Sequence, residues 1–438
     1  MTLPRRLLLM LCILGLAAGL AVAAVPAGKP STQLTATTDR ADATYRRGET
    51  VTFTVRLEHE GRPVEAADVE WTLTKDGVAP TRTGRVRLQG GAASITGSLD
   101  EPGFLQCRVS YQAGATKLIA LAGAGVAPLE IKPSQPVPDD FDAFWAAKKK
   151  ALAAVPMNAR LQTVKSPQAG VETVDVQLDC IGAPVSGYFA QPAGASLHSQ
   201  PAILTVHGAG VNSSSLGGAA GWAKEGAIAL DINAHGLPNG LEKSYYDALA
   251  AGALKDYRVR GRQSREEIYF LGMFLRLIRA IDFLTSVHEW DGRTLVVFGS
   301  SQGGAQALAA AGLDPRVTFF AAGVPAMCDH TGALANRIAG WPKLIPTGEK
   351  PPADVVTAVR YYDAVNFAAR ARAPGFFTVG FIDTTCPPTS VYAAYNALPA
   401  AKEIFNDITA GHTNTPAARD AMRAAVLRHF TAQRATGK

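Results

Sequence analysis

Six mainly apolar runs after residue 200 constrain the fold of this chain more than any other feature. The runs lie at 202–206, 227–232, 295–298, 317–324, 376–382 and 404–408. Helical patterns, such as the apolar spacing over 274–284, separate most of them. Strands without polar alternation that are separated by helices predict a parallel sheet covered on both faces. An alternating segment over 174–180 and a segment over 185–190 that follows a short turn precede them as a hairpin, so we expect eight strands.

The region before this sheet has a different period. Apolar and polar residues alternate over 51–58, 69–73 and 105–111, and turn residues such as Lys75-Asp76-Gly77 follow these segments. A period of two with repeated turns predicts a β-sandwich over residues 31–125.

The spacing between Trp71 and Cys107 resembles that of an immunoglobulin-like module. The first cysteine of such a module is missing, so no disulfide between the sheets is expected. We interpret the sandwich as an accessory domain, structural or sugar-binding. A Pro-rich linker over 126–138 then leads to a second domain over 139–438.

The first 24 residues have the pattern of an export signal. Arg5 and Arg6 are followed by an apolar stretch over 7–20 and by small residues at Ala21-Val22-Ala23-Ala24. This pattern predicts a cleaved signal peptide and a secreted or periplasmic protein. An uncleaved membrane anchor is the alternative, but the apolar stretch is short for a span and contains two glycines.

Composition argues against several classes of function. The formal net charge is +6 over 438 residues without a dense Lys/Arg run, so no nucleic-acid partner is expected. No cysteine pair has the spacing of a zinc site, and no glycine-rich loop has that of a nucleotide site, so we expect neither metal nor cofactor. Outside the signal, the cysteines are expected to be buried free thiols or to form one incidental bridge: Cys107, Cys180, Cys328 and Cys386.

A G-x-S-x-G motif lies between a predicted strand and a predicted helix. Gly299 and Gly303 flank Ser301 at the positions where a sharp strand-to-helix turn leaves no room for a side chain. Ser300 would have Phe298 and Gln302 at those positions, so the motif selects Ser301 as the nucleophile. Together with the predicted sheet, this nucleophile elbow predicts an α/β-hydrolase fold.

A serine nucleophile needs a base and a carboxylate that orients the base, and in this fold they follow the serine in the order acid, then histidine. Asp383 ends the strand predicted over 376–382, and His412 lies in the loop after the last predicted strand. We therefore predict that Ser301, Asp383 and His412 are catalytic. The other candidates fit the order less well: His330, His429, Asp329 and Asp363.

Two backbone N–H groups are expected to bind the developing oxyanion. One belongs to Gln302, which follows the nucleophile, and the other to Ala209 in the loop His207-Gly208-Ala209-Gly210. His207 is interpreted as structural. His235 follows the fourth strand toward the same edge, and is either a buried, hydrogen-bonded histidine or a substrate contact.

From residue 139 onward the chain resembles the acetyl xylan esterase / cephalosporin C deacetylase family. Four segments carry the resemblance: Phe141-Asp142-Ala143-Phe144-Trp145, Gly299-Ser300-Ser301-Gln302-Gly303-Gly304, Tyr362-Asp363-Ala364-Val365-Asn366-Phe367 and Asp383-Thr384-Thr385-Cys386-Pro387-Pro388. The resemblance implies removal of acetyl groups from sugar esters without a cofactor, and it implies the same three catalytic residues. It also implies a possible homo-oligomer, which the additional sandwich would affect.

The expected substrate is an acetylated oligosaccharide or polysaccharide such as xylan. Two alternatives remain open from the residues alone. One is a general carboxylesterase or peptidase of the same fold, and the other is a non-catalytic carbohydrate-binding protein. No predicted catalytic group precedes residue 128, so the sequence alone predicts that the sandwich is dispensable for turnover of a small ester.

Overall fold

The computed structural model describes residues 32–80, 82–348 and 350–436. The predicted signal peptide, residues 1–24, lies outside the described residues. The described chain forms a β-sandwich followed by a large sheet with helices on both faces. No helix in the described ranges is both long enough and apolar enough to span a membrane.

The sandwich consists of two sheets that share one apolar core. Its strands are β1 (Thr32–Thr38), β2 (Thr44–Tyr45), β3 (Val51–His59), β4 (Arg62–Pro63), β5 (Asp68–Lys75), β6 (Arg82–Arg87), β7 (Ala92–Gly97), β8 (Gly103–Ala113) and β9 (Thr116–Val126). One sheet pairs β3 with β1, β4 and β7, and the other has the order β2-β9-β8-β5-β6. Phe53 and Val55 from the first sheet meet Val69 and Val109 from the second in the core, which explains the period of two.

The large sheet has nine strands. They are β10 (Arg160–Thr163), β11 (Val171–Leu178), β12 (Val185–Pro192), β13 (Gln200–Val206), β14 (Ile228–Ile232), β15 (Trp290–Ser300), β16 (Phe319–Gly323), β17 (Gly375–Gly380) and β18 (Lys402–Asp407). Their order is β10-β11-β12-β14-β13-β15-β16-β17-β18. The strands β13 to β18 run parallel to one another. The sequence predicted eight strands. The additional strand, β10, is exposed at all four residues, so it has no apolar pattern to detect.

Nine α-helices are described around the sheet. They are α1 (Phe141–Ala153), α2 (Leu216–Lys224), α3 (Lys243–Ala251), α4 (Phe270–Ser286), α5 (Gln302–Leu313), α6 (Ala353–Val359), α7 (Ala364–Ala368), α8 (Pro388–Ala397) and α9 (Pro416–Thr436). Ala202 and Leu204 of β13 join one core cluster, while Ile203 between them joins a second cluster with α2 and α9. Successive side chains on a strand point to opposite faces, so burial on both faces explains the runs without alternation.

The segment over 126–138, which lies between the two regions in the chain, packs on the larger one. The backbone N–H of Ser134 donates to Asp329 Oδ1 at 2.8 Å. The guanidinium of Arg360 donates to the Pro136 carbonyl oxygen. These contacts fix the segment to residues that lie about 200 positions later in the chain.

The sandwich itself also shares apolar core with the larger region. Phe104 of β8 is buried in the same cluster as α4 and α5. Its ring lies 5.0 Å from that of Phe381 and 5.6 Å from that of Tyr392, measured between centroids. The two regions are therefore in direct apolar contact next to the end of β17.

Candidate active site

The elbow between β15 and α5 has the strained geometry that its sequence predicts. Ser301 has φ 57° and ψ −121°, a conformation that a residue with a side chain rarely adopts. A Cβ on Gly299 would lie 2.4 Å from the Gly303 carbonyl oxygen, and one on Gly303 would lie 2.3 Å from that of Val206. Because neither position has room for a side chain, both glycines are required for this turn.

The structure brings Ser301, His412 and Asp383 together. Ser301 Oγ lies 2.9 Å from His412 Nε2, and His412 Nδ1 lies 2.8 Å from Asp383 Oδ2. The other carboxylate oxygen of Asp383 accepts from the backbone N–H groups of Thr385 and Cys386, at 2.7 and 2.9 Å. A carboxylate can only accept, so Nδ1 carries the proton and Nε2 is free to accept the serine proton.

Asp363 and His429, two of the alternatives to the predicted acid and base, have structural partners elsewhere. The carboxylate of Asp363 accepts from the backbone N–H groups of Asp329 and His330, at 2.9 and 2.7 Å. His429 of α9 has Nε2 3.0 Å from Thr318 Oγ1. These contacts account for the side chains of Asp363 and His429 without any role at Ser301.

Two histidines fix the loop that is predicted to carry one oxyanion donor. His207 Nδ1 lies 2.6 Å from the Gly208 carbonyl oxygen, and His235 Nε2 lies 3.0 Å from that of Gly210. In a trans peptide the C=O and the following N–H point in opposite directions, so the bond to Gly208 directs the Ala209 N–H away from His207. A Cβ on Gly208 would lie 3.7 Å from the Cβ of Ser301, so the loop lies beside this serine.

His235 is a buried histidine whose two ring nitrogens both have hydrogen-bond partners. Its Nε2 must donate, because the Gly210 carbonyl can only accept. Its Nδ1 then accepts from the Tyr269 hydroxyl at 2.7 Å, so both ring nitrogens are occupied. Burial lowers the pKa of His235 to about 4 and also lowers that of His207, so both imidazoles are neutral at pH 7.

Gln302 is the first residue of α5, where the backbone N–H groups have no partner within the helix. Its side chain is fully buried, and its Oε1 accepts from the Tyr257 hydroxyl at 2.7 Å. Sequence reasoning missed Tyr257 because it lies 45 residues before Gln302 in a segment without a motif.

The two long segments that follow β14 and β16 contact each other near the elbow. The guanidinium of Arg258 donates to the Pro342 carbonyl oxygen, and that of Arg262 donates to the Leu344 carbonyl oxygen, at 3.1 and 2.8 Å. These two segments, although far apart in sequence, are therefore connected to each other by hydrogen bonds.

One group in the described part of the chain has the spacing of metal ligands. The ligand atoms of Asp383, Cys386 and His412 all lie within 4.8 Å of one another. Burial raises the pKa of the Cys386 thiol well above its usual value, so this thiol is protonated at pH 7. His412 and Asp383 already bond to each other, so the set is suited to proton transfer rather than to holding a cation. All four described cysteines are free thiols.

Known proteins resemble this chain over most of its length. Residues 128–427 match the acetyl xylan esterase (AXE1) family. The acetyl esterase Axe7A of Xylanibacter ruminicola is 33% identical over 377 residues, which cover 83% of each chain. That coverage is larger than the matched family region, so the similarity extends beyond it.

Solved structures show the same fold. The acetyl xylan esterase of Paenibacillus sp. R4 is 28% identical with a TM-score of 0.59, over 68% of this chain and 97% of that one. Acetyl xylan esterase 1 of Thermoanaerobacterium sp. JW/SL YS485 has a TM-score of 0.57 at 23% identity, over 69% and 97%. These similarities confirm the predicted α/β-hydrolase fold. The chain is a serine carboxylic-ester hydrolase, and it belongs to the acetyl xylan esterase family.

Proposed function

We propose that this protein removes acetyl groups from acetylated xylan or xylo-oligosaccharides through an acyl-enzyme on Ser301. The observation that carries the proposal is the hydrogen-bonded series Ser301–His412–Asp383 at a strained elbow. The substrate class is supported by the family match and by the acetyl esterase and acetyl xylan esterases that the chain resembles.

The geometry supports a two-step acyl transfer. His412 Nε2 takes the serine proton as Ser301 Oγ attacks the acetyl carbonyl carbon, and the backbone N–H groups of Gln302 and Ala209 stabilise the oxyanion. His412 then donates this proton to the sugar oxygen as its bond to the acetyl carbon breaks, and the sugar leaves with a free hydroxyl group. Water, deprotonated by His412, attacks the acetyl–serine ester and releases acetate, and Ser301 recovers its proton.

Acyl size tests the proposal against a general carboxylesterase. A pocket closed behind the acetyl methyl cannot admit further methylenes without strain of about 1–3 kcal/mol, roughly 5- to 150-fold in rate. We expect kcat/KM for p-nitrophenyl esters to fall from acetate to butyrate and octanoate, and acetate to be released from acetylated xylo-oligosaccharides. A flat or rising series would favour the general carboxylesterase, and cleavage within a peptide panel would favour a peptidase. Inactivity on every ester would favour a non-catalytic binding protein.

We also propose export of the protein through cleavage of its N-terminal signal. The charged residues Arg5 and Arg6, the apolar stretch over 7–20 and the small residues over 21–24 support this. N-terminal sequencing of protein from the native host should give a start near Ala24 or Val25. A retained Met1 would contradict export by cleavage.

A further inference from the structure

The turn after β5 of the sandwich reaches the loop that carries Asp383. Asp76 in this turn is buried, with 4% of its surface exposed, and has a left-handed φ of 50°. Within the sandwich, its Oδ1 accepts from the Phe104 N–H and its own N–H donates to the Phe104 carbonyl oxygen, both at 2.8 Å. The sandwich therefore fixes the position of this carboxylate.

Two further hydrogen bonds connect Asp76 to the hydrolase region, the part of the chain from residue 139 onward that contains the large sheet. The Thr389 hydroxyl, at the start of α8, donates to Asp76 Oδ1. The Ile338 N–H donates to the Asp76 carbonyl oxygen at 2.8 Å. A Cβ on Gly77 would lie 3.0 Å from the Ile338 side chain, so the turn packs closely on this segment. One sandwich residue thus holds two separate hydrolase segments.

Both segments lead directly to the catalytic acid. Thr389 lies in the first turn of α8, directly after the short loop that begins at Asp383. The N–H groups of Thr385 and Cys386 in that loop bond to the Asp383 carboxylate. The backbone N–H of Trp341, three residues after Ile338, donates to the Thr385 carbonyl oxygen at 2.7 Å. The loop that orients Asp383 is therefore held from both sides by segments bonded to Asp76.

The sandwich also supports the end of the strand that precedes the acid. A Cβ on Gly123 of β9 would lie 2.3 Å from the Phe381 carbonyl oxygen, so the two backbones are in direct contact. The Phe104 ring packs edge-on against the Phe381 ring. Asp383 follows Phe381 by two residues. The sandwich therefore contacts the chain both just before the loop, at Phe381, and just after it, at Thr389.

We propose that the sandwich is a working part of the active site, in which Asp76, through Thr389, is a positioning residue for Asp383. This inference rests on the proposed acyl-transfer function. Asp76 contacts no reacting atom. It holds the loop in which two N–H groups orient the Asp383 carboxylate toward His412. We call the hydrogen bond between Thr389 and Asp76 the clamp. A small displacement of a catalytic group costs up to about 100-fold in rate, so loss of the clamp has a measurable effect.

Removing one hydroxyl tests the clamp. Thr389→Val keeps the shape of the side chain and removes the donor to Asp76, whereas Thr389→Ser keeps the donor. On p-nitrophenyl acetate we expect Thr389→Val to lower kcat by roughly 10-fold with KM changed by less than about 2-fold. Thr389→Ser should retain most of the wild-type kcat. Asp76→Ala should lower kcat at least as much as Thr389→Val, if it folds.

A double-mutant cycle with Asp383→Asn separates positioning from general damage. If the clamp acts through Asp383, Thr389→Val should lower kcat by less than about 2-fold in the Asp383→Asn background. Val69→Ala, a substitution in the sandwich core, is the control: it should lower the melting temperature without changing kcat at 25 °C. An equal loss from Thr389→Val in both backgrounds, or none in the wild type, would overturn the inference. A wild-type protein inactive on p-nitrophenyl acetate would instead overturn the proposed function.

Discussion

Contacts within the hydrolase region and contacts between that region and the sandwich differ in how far apart in sequence the interacting residues lie. At the elbow, Gly299 and Gly303 are four residues apart, and one motif describes them both. Between the two regions, Asp76 and Thr389 are 313 residues apart. The reacting groups belong to the hydrolase region alone, whereas the sandwich affects turnover through the loop that holds the acid. The residues that shape the elbow are therefore close together in sequence, whereas the residues that hold the loop of Asp383 are far apart.

The largest expected effect defines the hydrolase side of this comparison. Ser301→Ala should lower kcat by on the order of 10⁴-fold or more, because the nucleophile is lost while the fold is kept. Steady-state kinetics on p-nitrophenyl acetate measures the change, and circular dichroism checks the fold. No single substitution in the sandwich should approach this loss. A folded Ser301→Ala protein with near-normal turnover would show that another nucleophile carries the reaction.

A smaller effect is expected where the hydrolase region supports its own site. His235→Phe keeps a ring but removes the donor to the Gly210 carbonyl, so the loop with the Ala209 N–H loses one of its two fixed points. We expect kcat to fall roughly 10- to 100-fold, less than complete loss of an oxyanion donor would cause. His429→Phe on α9 is the matched control and should leave kcat unchanged. Equal effects of the two substitutions would contradict this role of the loop.

The smallest effect separates stability from turnover within the sandwich. Phe104→Ala at the interface and Phe53→Ala in the sandwich core should each lower the free energy of unfolding by about 3–5 kcal/mol. Only Phe104→Ala should also lower kcat, by roughly 5-fold, because its ring packs on Phe381. Urea unfolding and kinetics on the same samples measure both quantities. A loss of turnover in Phe53→Ala at a temperature where it is folded would remove the distinction.

Sequence patterns predicted the features that depend on neighbouring residues. The parallel strands follow from burial on both faces, and the elbow follows from two glycines around Ser301. The strand β10 has no buried face, so its residues gave no signal. For His235 the sequence left two interpretations, because only the fold places Tyr269 and the Gly210 carbonyl against its ring.

The clamp was beyond sequence reasoning for a related reason. Lys75-Asp76-Gly77 was correctly predicted as a turn, since such residues are typical of turns. Nothing in a turn sequence indicates that its carboxylate is buried against a helix of another region. A contact over 313 residues requires the relative placement of two regions, and no local pattern carries that information.

The backbone at Ser301 has a consequence for heat resistance. A side chain at φ 57° and ψ −121° costs on the order of 1–3 kcal/mol, and glycine adopts this conformation with much less strain. Part of the folding free energy of the protein is thus given up at the one residue where reactivity requires a hydroxyl. Attempts to raise the melting temperature should therefore begin at exposed positions far from the elbow, because relief of strain at this residue would remove the nucleophile.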